Sequence, residues 1–171
     1  MKSFKEFLNE SSLSRIKSKS DKGGIATMSA SRADKSAKEN RARAKQLDRD
    51  IKGKGLPGAT KVTGSYVEKG DDGKEKRVKE RSHVVSSGKK GKRAFKKAVK
   101  SLGKKYGQDS VLTQTKKTGT LSATSKGGLG TKPKNKRPLG STKRVGLGKF
   151  KPQGKNPEGQ SQIKGKTFTY G

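Results

Sequence analysis

The sequence predicts a small α+β domain, in which helices lie on an antiparallel sheet and flexible basic tails flank the domain. Two segments have the apolar spacing of helices, and each is followed by a pair of segments rich in β-branched residues. Asp72-Gly73, a dipeptide typical of tight turns, lies between the first two of those segments. The predicted order of elements is therefore α-β-β-α-β-β over residues 27–125.

The first half of this unit begins with a helix predicted within SRADKSAKENRARAKQLDRDI. Ser36 and Glu39 have the spacing of a capping box, which satisfies backbone N–H groups at a helix start. The apolar stripe of this helix consists of Ala37, Ala44, Leu47 and Ile51. After the breaker GKGLPG, TKVTGSYVE and VKERSHVVSS are predicted to pair as a hairpin.

The second half begins with KRAFKKAVKSLGKKYG, the clearest amphipathic helix pattern in the chain. Its apolar residues recur at helical spacing: Phe95, Ala98, Val99, Leu102 and Tyr106. DSVLTQ and TLSATS, separated by TKKTG, predict a second hairpin.

Four further segments flank this domain. Residues 1–10, MKSFKEFLNE, form a neutral amphipathic peptide, and residues 11–26 are Ser- and Lys-rich, which is typical of a flexible linker. Residues 126–162 are rich in Gly, Lys and Pro and are predicted to form an extended basic arm. A terminal strand is predicted in residues 163–171.

Composition favours a polyanionic partner. Lys and Arg number 45 against 14 Asp and Glu, which gives a net charge of +31. Only 25% of residues are apolar, so any core must be small, and no apolar run is long enough for a membrane span. The absence of cysteine excludes disulfides and thiolate metal sites. These features predict contact with nucleic acid and none with a membrane.

The predicted nucleic-acid contacts are basic residues of the second helix and of the arm. Three tyrosines, five phenylalanines and no tryptophan leave little for base stacking, so the contacts are expected to be with the backbone, without sequence preference. The residues are Lys92, Arg93, Lys96, Lys97, Lys100, Lys104, Lys105, Lys134, Lys136, Arg137, Lys143 and Arg144.

No convergent catalytic set is visible in the sequence, so no enzymatic activity, metal or cofactor is predicted. Gly53, Gly55 and Gly58 match G-x-G-x-x-G, but they follow a helix and precede a strand, which favours an ordinary loop. His83, the only histidine, is predicted to be structural or exposed, because strand alternation turns Ser82 away from it. Asp109 is predicted to orient a loop.

The first ten residues resemble the capsid-targeting sequences of internal head proteins of T-even-type tailed bacteriophages. Met1, Lys2, Ser3 and Phe4 begin the motif, and Phe7 and Leu8-Asn9-Glu10 complete it. The resemblance implies targeting through Phe4, Phe7 and Leu8, and cleavage between Glu10 and Ser11 at the Leu8-x-Glu10 site. It also implies a location inside the phage head, and the host cytoplasm after synthesis or ejection. The implied partners are phage genomic DNA, the prohead scaffold or capsid, the maturation protease and a host defence protein.

A second resemblance covers residues from about 30 to 124. S-R-x-D-K-S-x-x-E-N, G-S-Y-V-E, E-R-S-H-V-V and Y-G-Q-D-S-V-L are similar to a small domain family of bacteria and their phages. No activity is attached to this resemblance. The positions that resemble the family are Arg32, Asn40, Glu80, Ser82, Gln108 and Asp109.

These observations favour an internal head protein of a phage that binds packaged DNA nonspecifically. Three alternatives remain open. One is a structural protein that lines the inner capsid wall, because a basic surface can also bind acidic patches of a capsid. Basic arms of this kind also occur in RNA-binding accessory proteins of the ribosomal type. A nucleic-acid enzyme would need His83 or Asp109 to converge with other groups in space.

Overall fold

The computed structural model describes residues 12–69, 73–125, 142–145, 159–163 and 166–169, and it confirms an α+β fold. The helices are α1 (Ser12–Lys22), α2 (Ala37–Gly53) and α3 (Lys92–Lys105). The first five strands are β1 (Ile25–Ser29), β2 (Thr60–Lys69), β3 (Glu75–Ser86), β4 (Ser110–Gln114) and β5 (Gly119–Ala123). The last three described strands are β6 (Thr142–Val145), β7 (Gly159–Ile163) and β8 (Lys166–Thr169).

The described strands form one antiparallel sheet in the order β6-β5-β4-β1-β3-β2-β7-β8. Both predicted hairpins are present, as β2–β3 and β4–β5. β1 lies between them and pairs with β3 and β4. The short central strand therefore joins the two hairpins into a single sheet.

The two faces of the sheet are covered differently. Ala26 and Met28 of β1 face α2 and α3 and belong to the main core, together with Leu47 and Val99 of those helices. The alternate residues of β1 face the other way, towards α1, which contacts β1 and β3. We refer to this second side as the α1 face. Burying apolar residues on both sides fixes the register of the central strands.

The capping box predicted for α2 is present. Ser36 Oγ accepts a hydrogen bond from Glu39 N at 3.2 Å, and Glu39 Oε2 accepts one from Ser36 N at 2.8 Å. Ala44, Leu47 and Ile51 are the buried residues of α2. The predicted amphipathic stripe of α3 is also buried, at Phe95, Val99 and Leu102. Both helices therefore form where local sequence signals place them.

The flanking segments contain more regular structure than predicted. Residues 11–26, predicted as a linker, contain α1 and the start of β1, and residues 126–162, predicted as an arm, contain β6 and most of β7. These elements are stabilised by pairing and packing with distant residues, which a polar local sequence does not reveal. A terminal strand is present as β8, whereas residues 1–10 lie outside the described residues. No helix in the described ranges is long and apolar enough to span a membrane.

Candidate functional site

A polar cluster lies where β1 ends, and it brings together three residues from distant parts of the sequence. Ser29 N donates to Gln108 Oε1 at 3.2 Å. Arg32 N donates to Asn40 Oδ1 at 2.9 Å, and Asn40 Nδ2 returns a hydrogen bond to Arg32 O at 3.0 Å. Arg32 Nη1 donates to Gly107 O at 2.6 Å. Arg32 and Asn40, which the sequence singles out by resemblance, are therefore joined by direct hydrogen bonds, and Gln108 is held nearby by Ser29 N and by its chain neighbour Gly107; we call these contacts the β1-end network.

Arg43 connects this cluster to the core. Its Nε donates to Ala30 O at 2.7 Å and its Nη2 to Tyr106 O at 2.8 Å. Tyr106 is buried, and its hydroxyl donates to Asp50 Oδ2 at 2.6 Å. Lys105 and this hydroxyl hold the pKa of Asp50 below its usual value, whereas burial and Asp50 raise the pKa of Tyr106. Arg43 thus links the backbone at Ala30 to the backbone at Tyr106, and these are the two segments that carry the cluster.

The cluster continues onto the α1 face of β3. Ser29 pairs with Ser82 in the register, and Ser29 Oγ donates to Arg81 O at 2.9 Å. Glu80 is half-buried on the same face, opposite Gly64 of β2. A Cβ atom at Gly64 would lie 2.7 Å from Ser82 Oγ, so glycine is required for the serine to occupy this position. Ser29, Gly64, Glu80 and Ser82 form what we call the β3 patch.

Asp109 lies outside this arrangement. Its carboxylate accepts a hydrogen bond from Ser125 Oγ at 2.8 Å, and its carbonyl oxygen accepts from Thr124 N at 2.9 Å. These contacts hold the start of β4 against the end of β5. The prediction that Asp109 orients a loop agrees with this position.

His83 lies on the opposite face of β3 from Ser82 and is completely buried. Asp48 Oδ1 of α2 is 3.3 Å from its Nε2, and Lys61 Nζ is 2.8 Å from Asp48 Oδ2. Neither ring nitrogen has a well-aligned hydrogen bond within the described residues. Burial lowers the pKa of His83, Asp48 opposes this shift, and Lys61 and Arg81 reinforce it. The residue is a neutral core histidine.

The stability of the fold is expected to depend on His83 protonation. Because its folded pKa is below the ordinary 6.5, the unfolded chain takes up the proton first, and stability falls as the pH is lowered through 6.5. The loss stops once the pH is below the folded pKa. Urea unfolding between about pH 5.5 and 7.5 measures this loss of unfolding free energy, since carboxylates titrate mainly below this window. His83→Gln is expected to flatten the pH dependence of the unfolding free energy. An unchanged slope in this variant would contradict the assignment of the dependence to His83.

The basic residues predicted to contact nucleic acid are only partly described. Those of α3 are exposed or half-exposed along one helix, and Lys105 Nζ is 2.6 Å from Asp50 Oδ2. Lys143 and Arg144 lie on β6, while Lys134, Lys136 and Arg137 lie outside the described residues. Of the described residues, those of α3 lie on the opposite side of the sheet from the β3 patch. Within the described ranges, no three His, Asp or Glu side chains are grouped for a metal ion.

The sequence of the chain matches the model of a known protein family. The model of the S-adenosylmethionine lyase family matches residues 26–171. No curated protein matches the chain. The match includes every residue of the β1-end network and the β3 patch. It also covers residues from about 30 to 124, whose resemblance to a small domain family carried no activity. It overturns the predictions of a DNA-binding internal head protein and of a protein without enzymatic activity. The capsid-targeting resemblance of residues 1–10 and the virion location stay predictions.

Proposed function

Since the chain belongs to the S-adenosylmethionine lyase family, we propose that it cleaves S-adenosylmethionine without adding water. The family match over residues 26–171 is the observation that carries this proposal. The β1-end network and the β3 patch support it, because Ser29 joins them: its N–H donates to Gln108, and its side chain belongs to the patch.

The chemistry of such a cleavage requires little from the protein. The substrate's α-carboxylate oxygen attacks its own Cγ, the O–Cγ bond forms, and the Cγ–S bond breaks with its electron pair passing to sulfur. The products are homoserine lactone and 5′-methylthioadenosine, and no proton or water is consumed. Holding the carboxylate in line with the Cγ–S bond is the main catalytic task. A site without a general base or nucleophile is therefore sufficient.

The reaction also cancels the negative charge of the carboxylate against the positive charge of the sulfonium. 5′-Methylthioadenosine is uncharged, and the lactone keeps only the charge of its α-ammonium group. A less polar, enclosed site favours such a change over water, because the charges that water stabilises disappear. Ser29 and Ser82 are 1% and 4% exposed, so the β3 patch is already largely shielded from solvent.

Glu80 is the carboxylate of the β3 patch. S-adenosylmethionine carries a net positive charge, and a chain with a net charge of +31 repels it unless a local carboxylate compensates. The depression between the start of α3 and the β4–β5 hairpin is lined by Lys92 and Lys96 instead. We therefore assign substrate binding to the β3 patch, with Glu80 facing the substrate's positive charge.

Incubation of the purified protein with S-adenosylmethionine in H₂¹⁸O tests this proposal. Intramolecular attack gives 5′-methylthioadenosine and a lactone without ¹⁸O, which mass spectrometry detects directly. Later opening of the lactone at its carbonyl places ¹⁸O in the carboxylate of homoserine. Hydrolysis at Cγ would instead place ¹⁸O in the side-chain hydroxyl, which would contradict a lyase. A sample without protein gives the spontaneous rate, and product formation no faster than this rate would reject the proposal.

A further inference from the structure

We infer that α1 is a lid over the β3 patch, and that it must move away before S-adenosylmethionine can bind. This inference rests on the proposed function. It concerns a helix that precedes the residues matched by the family model, which begin at residue 26.

The position of α1 supports this inference. Gly23 and Gly24 turn the chain from α1 directly into β1, so the helix runs back over the face it contacts on β1 and β3. At about 1.5 Å per residue, the 11 residues of α1 span about 16 Å. Along β3, Ser82 is about 13 Å and Glu80 about 20 Å from Ser86. A helix of this length that runs back from the end of β3 reaches the level of Ser82, the nearer part of the β3 patch.

Burial of the patch is the second argument. Ser82 is 4% exposed and Ser29 is 1% exposed, and both lie on the face that α1 covers. Within the described residues, α1 is the helix that contacts this face, since α2 and α3 pack on the other side. A ligand as large as S-adenosylmethionine cannot contact either hydroxyl in this arrangement. The described conformation is therefore a closed one.

The attachment of α1 is small enough to release. Among its residues 14–22, only Ile16 and Ser20 are buried, one turn apart on the same side. The ion pair between Lys17 and Asp21 lies within the helix, at 2.9 Å, and does not tie it to the sheet. Gly24, with a φ of 105°, supplies a backbone conformation that side chains other than glycine rarely adopt. Within residues 14–22, Ile16 is the buried apolar anchor, and an anchor of this size beside a glycine pair is the arrangement expected of a hinged lid.

Ile16→Ala tests the lid by weakening its anchor. When only a fraction of molecules is open, the apparent affinity is reduced by that fraction, so a destabilised lid is expected to lower KM about tenfold while kcat stays unchanged. Ser18→Ala, on the exposed side of the same helix, is the matched control and is expected to leave both constants unchanged. Tryptic cleavage after Arg15, Lys17 or Lys19 reports release of α1 independently of activity.

A disulfide provides the opposite test. A Cβ atom at Gly23 would lie 3.8 Å from Ser87 Cβ, which is the separation found in disulfides, and the chain has no other cysteine. Oxidised Gly23→Cys/Ser87→Cys is expected to hold the hinge closed and to raise KM about tenfold, with recovery on reduction. The two single variants control for the substitutions themselves.

The outcomes separate this inference from the proposed function. Wild-type turnover with an unchanged KM in Ile16→Ala, despite faster tryptic cleavage of α1, would overturn the lid and leave the lyase intact. An oxidised double variant with wild-type KM would have the same meaning. Absence of lyase products from the wild type and all variants would overturn the proposed function, and the lid with it.

Discussion

Glu80→Gln is expected to raise the KM for S-adenosylmethionine by about 10- to 100-fold, which corresponds to about 1.5–3 kcal/mol for a charge-assisted contact. The effect falls on KM because the positive charge of the sulfonium decreases in the transition state, where the Cγ–S bond is partly broken. A carboxylate facing that charge stabilises the bound substrate at least as much as the transition state. Steady-state kinetics of the two proteins at one ionic strength measure the change.

The uncharged product separates a charge effect from damage to the site. 5′-Methylthioadenosine lacks the sulfonium, so its inhibition constant is expected to be the same for Glu80→Gln and the wild type. A lower kcat with unchanged KM would assign Glu80 to the transition state and contradict the binding role. Weaker inhibition by 5′-methylthioadenosine would show that the substitution disturbs the site as a whole.

Glu39→Gln is the matched control, since it makes the same chemical change in an exposed residue at the start of α2. Glutamine is also accepted at the third position of a capping box, so the helix start is retained. Its kinetic constants are expected to equal those of the wild type. A similar rise in KM in this variant would indicate a general effect of net charge.

The elements that the sequence predicts correctly are those with strong local signals. The capping box at Ser36 and Glu39, the apolar stripe of α3 that includes Leu102, and the β-branched residues of the paired strands β2 and β3 each lie within one short window of sequence. Such patterns specify helix or strand before any long-range contact forms. Two helices and two hairpins of the domain follow from them.

Elements stabilised by distant partners were not predicted. α1 has few apolar residues, and among residues 14–22 it buries only Ile16 and Ser20, so its polar composition resembles that of a linker. β1 has five residues, and pairing on both sides with β3 and β4 stabilises it. β6 and β7 pair with β5 and β2 across long stretches of sequence. Local propensity contains no information about these contacts.

The candidate site was visible only as a resemblance. Arg32, Asn40, Glu80, Ser82 and Gln108 could be singled out, but the sequence did not indicate an activity. Catalytic motifs contain bases, nucleophiles and metal ligands, and an intramolecular displacement needs none of these. The excess of lysine and arginine instead favours a polyanionic binding partner. The sparse carboxylates, among them Glu80, were the more informative residues for a cationic substrate.

Gly103→Ala is expected to lower the free energy of unfolding by about 2 kcal/mol, although alanine is the better helix former. Gly103 is a buried residue of α3, and a Cβ atom there would lie well inside van der Waals contact with Val111 Cγ2 and 3.0 Å from Thr124 Cγ2. Val111 is completely buried and β-branched, so its side chain cannot rotate away. The close approach of α3 to β4 and β5 therefore depends on a residue without a side chain.

Gly53→Ala provides the comparison, because Gly53 is also helical and a Cβ atom there meets nothing within 4 Å. This variant is expected to be more stable than the wild type by about 0.5 kcal/mol, since alanine restricts the unfolded chain without a clash. Urea unfolding of both variants at pH 7.5 measures the difference. Opposite signs for the same substitution would establish that packing against β4 and β5 determines the choice at Gly103. A stabilised Gly103→Ala would mean that α3 lies farther from the sheet than the structure places it.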